Sequence, residues 1–250
     1  MKNIIITIVL MICVLNIFAK DIKTDTDSAL NYYLKSDFEK ALAIYEDLFN
    51  QGYGSSDLFY NMGNCYYNMG DLANAIYFYE KAIILNPSDK DIIHNLQIAN
   101  SKIRNKTDEI PEVFYKRWYK SVVSLCSTDK WAIISIISFV LCLGAVAVYL
   151  FTKSISIRKS GFYSAIVFLI ISAFSLIFAI NQSKKITINN FAIVFETSLI
   201  KSGPSDESTN LFEVNEGLKV EITDSLNSWY NIKLADGKQG WIISDNVKKL

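Results

Sequence analysis

A single histidine, His94, and four cysteines, Cys13, Cys65, Cys126 and Cys142, are the residues of this 250-residue chain best suited to nucleophilic, redox or metal chemistry. Their spacing supports none of it. No group of Cys, His and carboxylates falls at ligand spacing, so a zinc centre has no donor set. No Ser/His/Asp or Cys/His pair lies in a recognisable signature, and there is no phosphate loop. Cys13 and Cys142 sit in apolar blocks, leaving Cys65 and Cys126 as the pair able to meet in a soluble region; no disulfide framework is expected. Catalytic, metal and cofactor sites are therefore all expected to be absent, and an enzyme is the poorest reading. Lys+Arg and Asp+Glu both number 25, so no bulk field draws the chain to nucleic acid. The chemistry that remains is recognition, and it depends on the elements that hold the recognising side chains.

Those elements are organised by a membrane. The 51% apolar content comes largely from three blocks, and two of them, 131–151 and 161–180, contain no Asp, Glu, Lys or Arg. Each is close to the roughly 20 residues a helix needs to cross a hydrocarbon core. Segment 1–19, with Lys2, an apolar run and Ala19, has the layout of a signal peptide. Cleavage after Ala19 is preferred over an uncleaved anchor, which bulky Ile17 keeps open; either puts the chain from Asp21 onward outside the cytoplasm. Loop 152–160 is then cytoplasmic, and its Lys153, Arg158 and Lys159 agree with the positive-inside tendency. Segments 20–130 and 181–250 share the outer side. In the spans, Ser135, Ser138, Gly144 and Ala145 would let neighbouring helices approach.

Segment 106–130 joins the outer domain to the membrane. After Pro111 it reads as a helix with Phe114, Trp118, Val122 and Leu125 on one stripe, flanked by Tyr115, Tyr119, Lys116, Arg117 and Lys120. That dressing suits a helix lying in the headgroup layer, or else one packed on the soluble domain. Before it, residues 22–105 repeat their punctuation: Ser36-Asp37-Phe38 recurs as Gly70-Asp71-Leu72, 34 residues on. Phe59, Met62-Gly63, Tyr66, Gly70-Asp71, Ala75, Tyr79, Ala82 and Pro87 stand at marked positions of a helix-turn-helix unit. This stretch resembles the tetratricopeptide repeat, with a weaker copy over 22–55 and a capping helix over 89–104. The resemblance implies a concave wall that holds a peptide or a helix. By register the wall includes Tyr33, Asp57, Tyr60, Asn64, Tyr67 and His94, a set lacking the Lys and Arg clamp of chaperone-binding repeats. His94 on its own reads more simply as a surface or capping residue, and Cys65 as a packed small residue. Five helices are marginal for such an array and would lean on the membrane or a partner.

Beyond Lys185 the pattern changes to short alternating runs at 191–197, 218–223, 229–234 and 240–243, with Asp236-Gly237 as a hairpin turn. A small closed or nearly closed barrel is expected over 187–250. Ser202-Gly203-Pro204-Ser205, Glu216-Gly217, Trp229 and Gly240-Trp241-Ile242 follow the order of bacterial SH3-like domains, a resemblance that implies a peptide or cell-wall groove. Trp241 is expected in the core, and Trp229 in either core or groove.

The fold class expected is a multidomain membrane protein: an all-α tetratricopeptide repeat, two transmembrane helices and a small all-β SH3-like barrel. That order of segments, with His94-Asn95-Leu96-Gln97-Ile98-Ala99 and Ile110-Pro111, resembles the BatE branch of the Bacteroides aerotolerance proteins. The resemblance implies the bacterial inner membrane with both outer domains in the periplasm, and partners among von Willebrand A-type Bat proteins and a MoxR-type ATPase, in oxidative-stress tolerance or envelope protein maturation. The expected role is a non-enzymatic adaptor or scaffold for envelope proteins, touching the lipid bilayer. The alternative is a peptidoglycan-binding sensor.

Overall fold

The structure, a computed structural model, describes residues 24–103, 113–187 and 190–250. The expected signal peptide, 1–19, lies outside them.

The repeat region folds as α1 (24–34), α2 (Phe38–Asn50), α3 (Ser56–Met69), α4 (Leu72–Leu85) and α5 (Lys90–Ser101). Its punctuation has a physical cause. Gly70 ends α3 in the left-handed conformation, φ 86°, and the carboxylate of Asp71 immediately accepts from the Asn74 backbone N–H at 3.0 Å to start α4. One dipeptide thus terminates one helix and caps the next. In the first half Ser36 adopts φ 60° and Asp37 caps α2, so the same turn is made with a residue that enters this region less readily than glycine. Tyr45, Met62, Ile76 and Tyr79 are fully buried between the helices. Phe78 stacks on Tyr66 with centroids 5.5 Å apart and an interplanar angle of 4°.

α7 (Thr128–Phe151) and α8 (Ile155–Thr187) form an antiparallel hairpin. Both are long and apolar enough to cross a membrane. The expected loop 152–160 is non-helical only at 152–154, because nothing in Ile155–Ser160 breaks a helix and α8 starts there. α8 likewise runs beyond Ile180. The seam is made of small residues: Ser135, Ser138 and Cys142 from α7, and Gly161, Ala165, Ser172, Ser175 and Ala179 from α8, all buried. Ser135 Oγ and Ser172 Oγ each donate to the other's backbone carbonyl at 3.0 Å, a reciprocal bridge in a setting where small polar residues let helices touch. Gly144, expected at such a seam, is exposed with open space around it, and Gly161 fills the role: a Cβ there would lie 3.1 Å from Ala145 O and Tyr149 N. Outward residues such as Ile136, Val140, Leu150 and Phe174 are exposed.

α6 (Phe114–Val123) carries the predicted stripe. Phe114, Trp118 and Leu125 are 81%, 69% and 67% exposed, while Val122 on the same stripe is half-buried. The other side is tied to the hairpin: Tyr119 meets the Phe178 ring at 6.0 Å and accepts from Asn181 Nδ2 at 2.9 Å, and Trp131 Nε1 donates to Val123 O at 2.9 Å. Among the described residues, Phe114, Trp118 and Leu125 do not pack on the soluble domain.

The C-terminal region forms one antiparallel seven-stranded sheet in the order β3-β2-β6-β5-β4-β1-β7. Its strands are β1 (Phe191–Val194), β2 (Ser198–Lys201), β3 (Asn210–Val214), β4 (Lys219–Leu226), β5 (Trp229–Lys233), β6 (Gln239–Ile243) and β7 (Val247–Lys249), with a 3-10 turn at Ser244–Asn246. β2, β3 and β7 were not expected as strands from the pattern, and β1 stops three residues short of 197. The Asp236-Gly237 turn joins β5 to β6, with Gly237 at φ 89° and Asp236 Oδ1 accepting from Lys238 N at 3.0 Å. The core holds Val194, Ile200, Val214, Val220, Ile232 and Ile242.

The repeat region and the sheet are not separate modules. Ile193 belongs to the core of the repeats, with Phe195 and Leu250 packed beside it. Tyr77 and Phe195 meet edge-on at 6.0 Å, Lys248 Nζ sits 4.5 Å above the Tyr77 ring, and Lys219 Nζ lies 2.6 Å from Glu80 Oε2. α4 buries Ala73, Ala75, Ile76, Tyr77, Phe78 and Tyr79 in succession, the habit of a helix covered on nearly every side. The lean that a five-helix array needs is therefore supplied by the chain's own β region.

Candidate functional site

The side chains most able to recognise a partner converge on one side of α3. Tyr33, Asn64, Tyr67, Asn68, Tyr79, Asn95 and Ile98 line a cavity of about 190 Å³. Residues 57, 60, 64 and 67 follow helical spacing along α3 and so share a stripe, while α1 contributes Tyr33 and α5 contributes Asn95 and Ile98.

Amides connect the tyrosines. Asn64 Oδ1 accepts from Tyr79 Oη at 2.7 Å and from Asn95 Nδ2 at 2.9 Å, and Asn95 Nδ2 also reaches Tyr60 Oη at 3.0 Å. Asn68 Nδ2 donates to Tyr33 Oη at 3.1 Å and to Asn64 O at 2.8 Å. Because Tyr33 and Tyr60 accept, each retains its own O–H as a donor. The lining carries no charged side chain; Lys102 Nζ stands just behind it, 4.3 Å from the Tyr67 ring centroid. Such a surface offers neutral donors, acceptors and aromatic faces. It is chemically suited to backbone amides rather than to a terminal carboxylate.

Of the residues predicted by register, Tyr33, Asn64 and Tyr67 line the cavity and Tyr60 joins the network through Asn95. Asp57, exposed, lies one turn before Tyr60, and His94 is exposed on α5; neither lines the cavity. Trp229 is far from this set in sequence and only 8% exposed, on β5 opposite Ile243. Trp241 is half-buried, paired with Asn231 and Lys201. Trp241, expected in the core, is only half-buried, because Ile232 and Ile242 supply the core and Trp241 lies on the opposite face; Trp229, expected in core or groove, is buried on that same face. Asn68, Tyr79, Asn95 and Ile98 were missed. A signal existed, because both Asn-to-Tyr bonds join residues 35 apart, Tyr33 to Asn68 and Tyr60 to Asn95, one more than the repeat length.

Burial holds these phenols neutral. Desolvation raises Tyr33, Tyr77 and Tyr79 above the ordinary 10.0 and Tyr45 to about 12; Tyr66, donating to Glu46 at 2.6 Å, is raised by burial and then by that carboxylate. Their raised values in the folded chain favour folding below the unfolded value and withdraw that support as pH climbs through the folded values. Stability against urea should therefore stay level near neutrality and fall steeply above about pH 10, read by circular dichroism; a transition centred well below that would contradict the tyrosine account. Burial also pushes the Cys65 thiol up to about 12, which removes it from redox chemistry.

Comparison with known proteins assigns the two modules. The tetratricopeptide repeat family matches residues 56–89, and the bacterial SH3 domain family matches residues 200–248. No curated protein matches the chain. Among solved structures, PcrH in complex with the chaperone binding region of PopB is similar, at 12% identity over 66% of this chain and 94% of that one, with a TM-score of 0.31. The chain thus combines modules that typically bind proteins or cell-wall material and are typically non-catalytic.

Proposed function

We propose that this chain is a non-enzymatic adaptor of the bacterial inner membrane, with both folded modules in the periplasm, whose tyrosine and asparagine wall holds an extended segment of an envelope protein. The observation that carries this is the neutral amide and phenol network around the 190 Å³ cavity. A partner segment lying there would present its backbone carbonyls to tyrosine O–H groups and its apolar side chains to the rings. We place it in the setting of the Bat proteins, with von Willebrand A-type membrane proteins as the partners and envelope protein maturation under oxidative stress as the process. The SH3-like domain makes a second contact on the same anchored chain, where two weak contacts gain effective concentration.

Periplasmic placement rests on the hairpin. Both ends of the α7–α8 pair that meet the folded regions lie together, while Lys153, Arg158 and Lys159 crowd the opposite turn. Cys126 reports on it directly, being half-buried just before α7, whereas Cys65 and Cys142 are buried. A membrane-impermeant maleimide applied to spheroplasts should label the chain, and Cys126→Ser should abolish the label. Labelling that requires permeabilised membranes would contradict the topology.

A sensor that binds peptidoglycan is the second reading, favoured by the bacterial SH3 match and by half-buried Trp241, two residues along β6 from exposed Ile243. Sedimentation of the detergent-solubilised full chain with purified cell wall separates the two: the adaptor stays in the supernatant.

A further inference from the structure

A second cavity, of about 610 Å³, lies where the repeats, α6, α8 and the sheet meet. That volume is within the range of small-molecule sites. Its repeat-side wall is apolar, with Ile83, Ile84 and Leu96, and α6 adds Val123. Its floor is the rim of the membrane hairpin, since Val123 holds the Trp131 indole at the start of α7 and Gln182 lies on α8 just beyond the apolar run. Gln182 is 5% exposed and its Oε1 has no hydrogen-bond partner. A buried acceptor of this kind calls for a donor. Lys120, Lys219 and Glu80 also line the cavity, Lys219 being paired with Glu80 at 2.6 Å.

We propose that this cavity holds one anionic phospholipid of the phosphatidylglycerol type. One acyl chain lies along Ile83, Ile84, Leu96 and Val123, the phosphodiester meets Lys120 and Lys219, and a headgroup hydroxyl donates to Gln182 Oε1. Each ammonium group carries three N–H donors, so both can reach phosphodiester oxygens in addition to the partners they already hold. The position, at the level where α6 presents its exposed aromatic stripe, is where a headgroup would be found. The proposal rests on the membrane reading and is independent of the partner wall.

The test uses the full chain in phosphatidylcholine vesicles doped with a phosphatidylglycerol that carries a diazirine at the end of one acyl chain. After illumination, peptides 82–90 and 91–102 should be labelled along with the spans. Ile84→Trp and, separately, Ile83→Trp fill the cavity from half-buried positions and so keep the fold, checked by melting. Excluding about two methylenes should cut labelling of those two peptides roughly tenfold, with the spans unchanged. The same diazirine on phosphatidylcholine should label the two peptides far less. Unlabelled repeat peptides beside labelled spans would overturn the lipid site and leave the membrane reading intact. Labelling that survives both tryptophan variants, or that is equal for the two lipids, would also overturn it. Unlabelled spans would overturn the membrane reading and this site together.

Discussion

Gly63→Ala is expected to destabilise the chain by about 2 kcal/mol and lower its melting temperature by roughly 4–8 °C. An added Cβ would lie 2.6 Å from both Cδ1 and Cε1 of Tyr79, closer than such atoms can approach. The ring cannot retreat: it is 1% exposed and its hydroxyl is fixed on Asn64. Removing a mid-helix glycine returns about 1 kcal/mol of helix propensity, which the overlap, at about 3 kcal/mol, exceeds. Because Tyr79 and Asn64 both line the partner cavity, the variant should also weaken capture of a partner at temperatures where it remains folded. Gly144→Ala is the control, since nothing lies within 4 Å of its added methyl. Scanning calorimetry of the two purified variants checks this; equal melting temperatures would mean that α3 and α4 are not held this closely.

Tyr67→Ala combined with Asn68→Ala is expected to lower affinity for the envelope partner by more than tenfold while shifting the melting temperature little. Asn68 is exposed and Tyr67, half-buried at the edge of the cavity, packs on the core from outside, so their loss leaves the fully buried side chains in place. Tyrosines at the centre of a contact often contribute about 2 kcal/mol or more, which corresponds to well over tenfold in affinity. The double variant also frees Tyr33 from Asn68 and Lys102 from its ring. Affinity capture after gentle solubilisation, with the partner quantified against wild type, gives the ratio. An unchanged ratio would move recognition away from this wall.

Much of the architecture was legible because its causes are local. Gly70-Asp71 declares a turn that only a left-handed cap followed by an N-cap carboxylate makes, and Asp236-Gly237 declares a hairpin. The apolar runs at 131–151 and 161–180 carry their own length criterion. What was not legible depends on contacts distant in sequence. Alternation in β5 and β6 defines two faces without saying which is the core, so Trp241 was placed in the core and Trp229 left open between core and groove. The docking of β1 on α4 left a trace in the unbroken apolar stretch from Ala75 to Tyr79, which a partner, a membrane or the β region could each have explained. The start of α8 at Ile155 could not be told from loop, since helix ends drift without a Gly or Pro to fix them. At the site, Tyr33, Asn64 and Tyr67 followed from repeat register, while Asn68 and Asn95 read as ordinary solvated asparagines until the neighbouring helix supplied a tyrosine.

The central claim is that the wall between α1, α3 and α5 holds a partner outside the cytoplasm, and photo-crosslinking in the native membrane tests it most directly. A photoreactive residue placed at Asn68, at the cavity, should capture an envelope protein through one short stretch of its sequence. The same residue at Glu39, exposed on α2 and absent from the cavity lining, should capture none. No adduct from position 68, or the same adduct from both positions, would contradict the account.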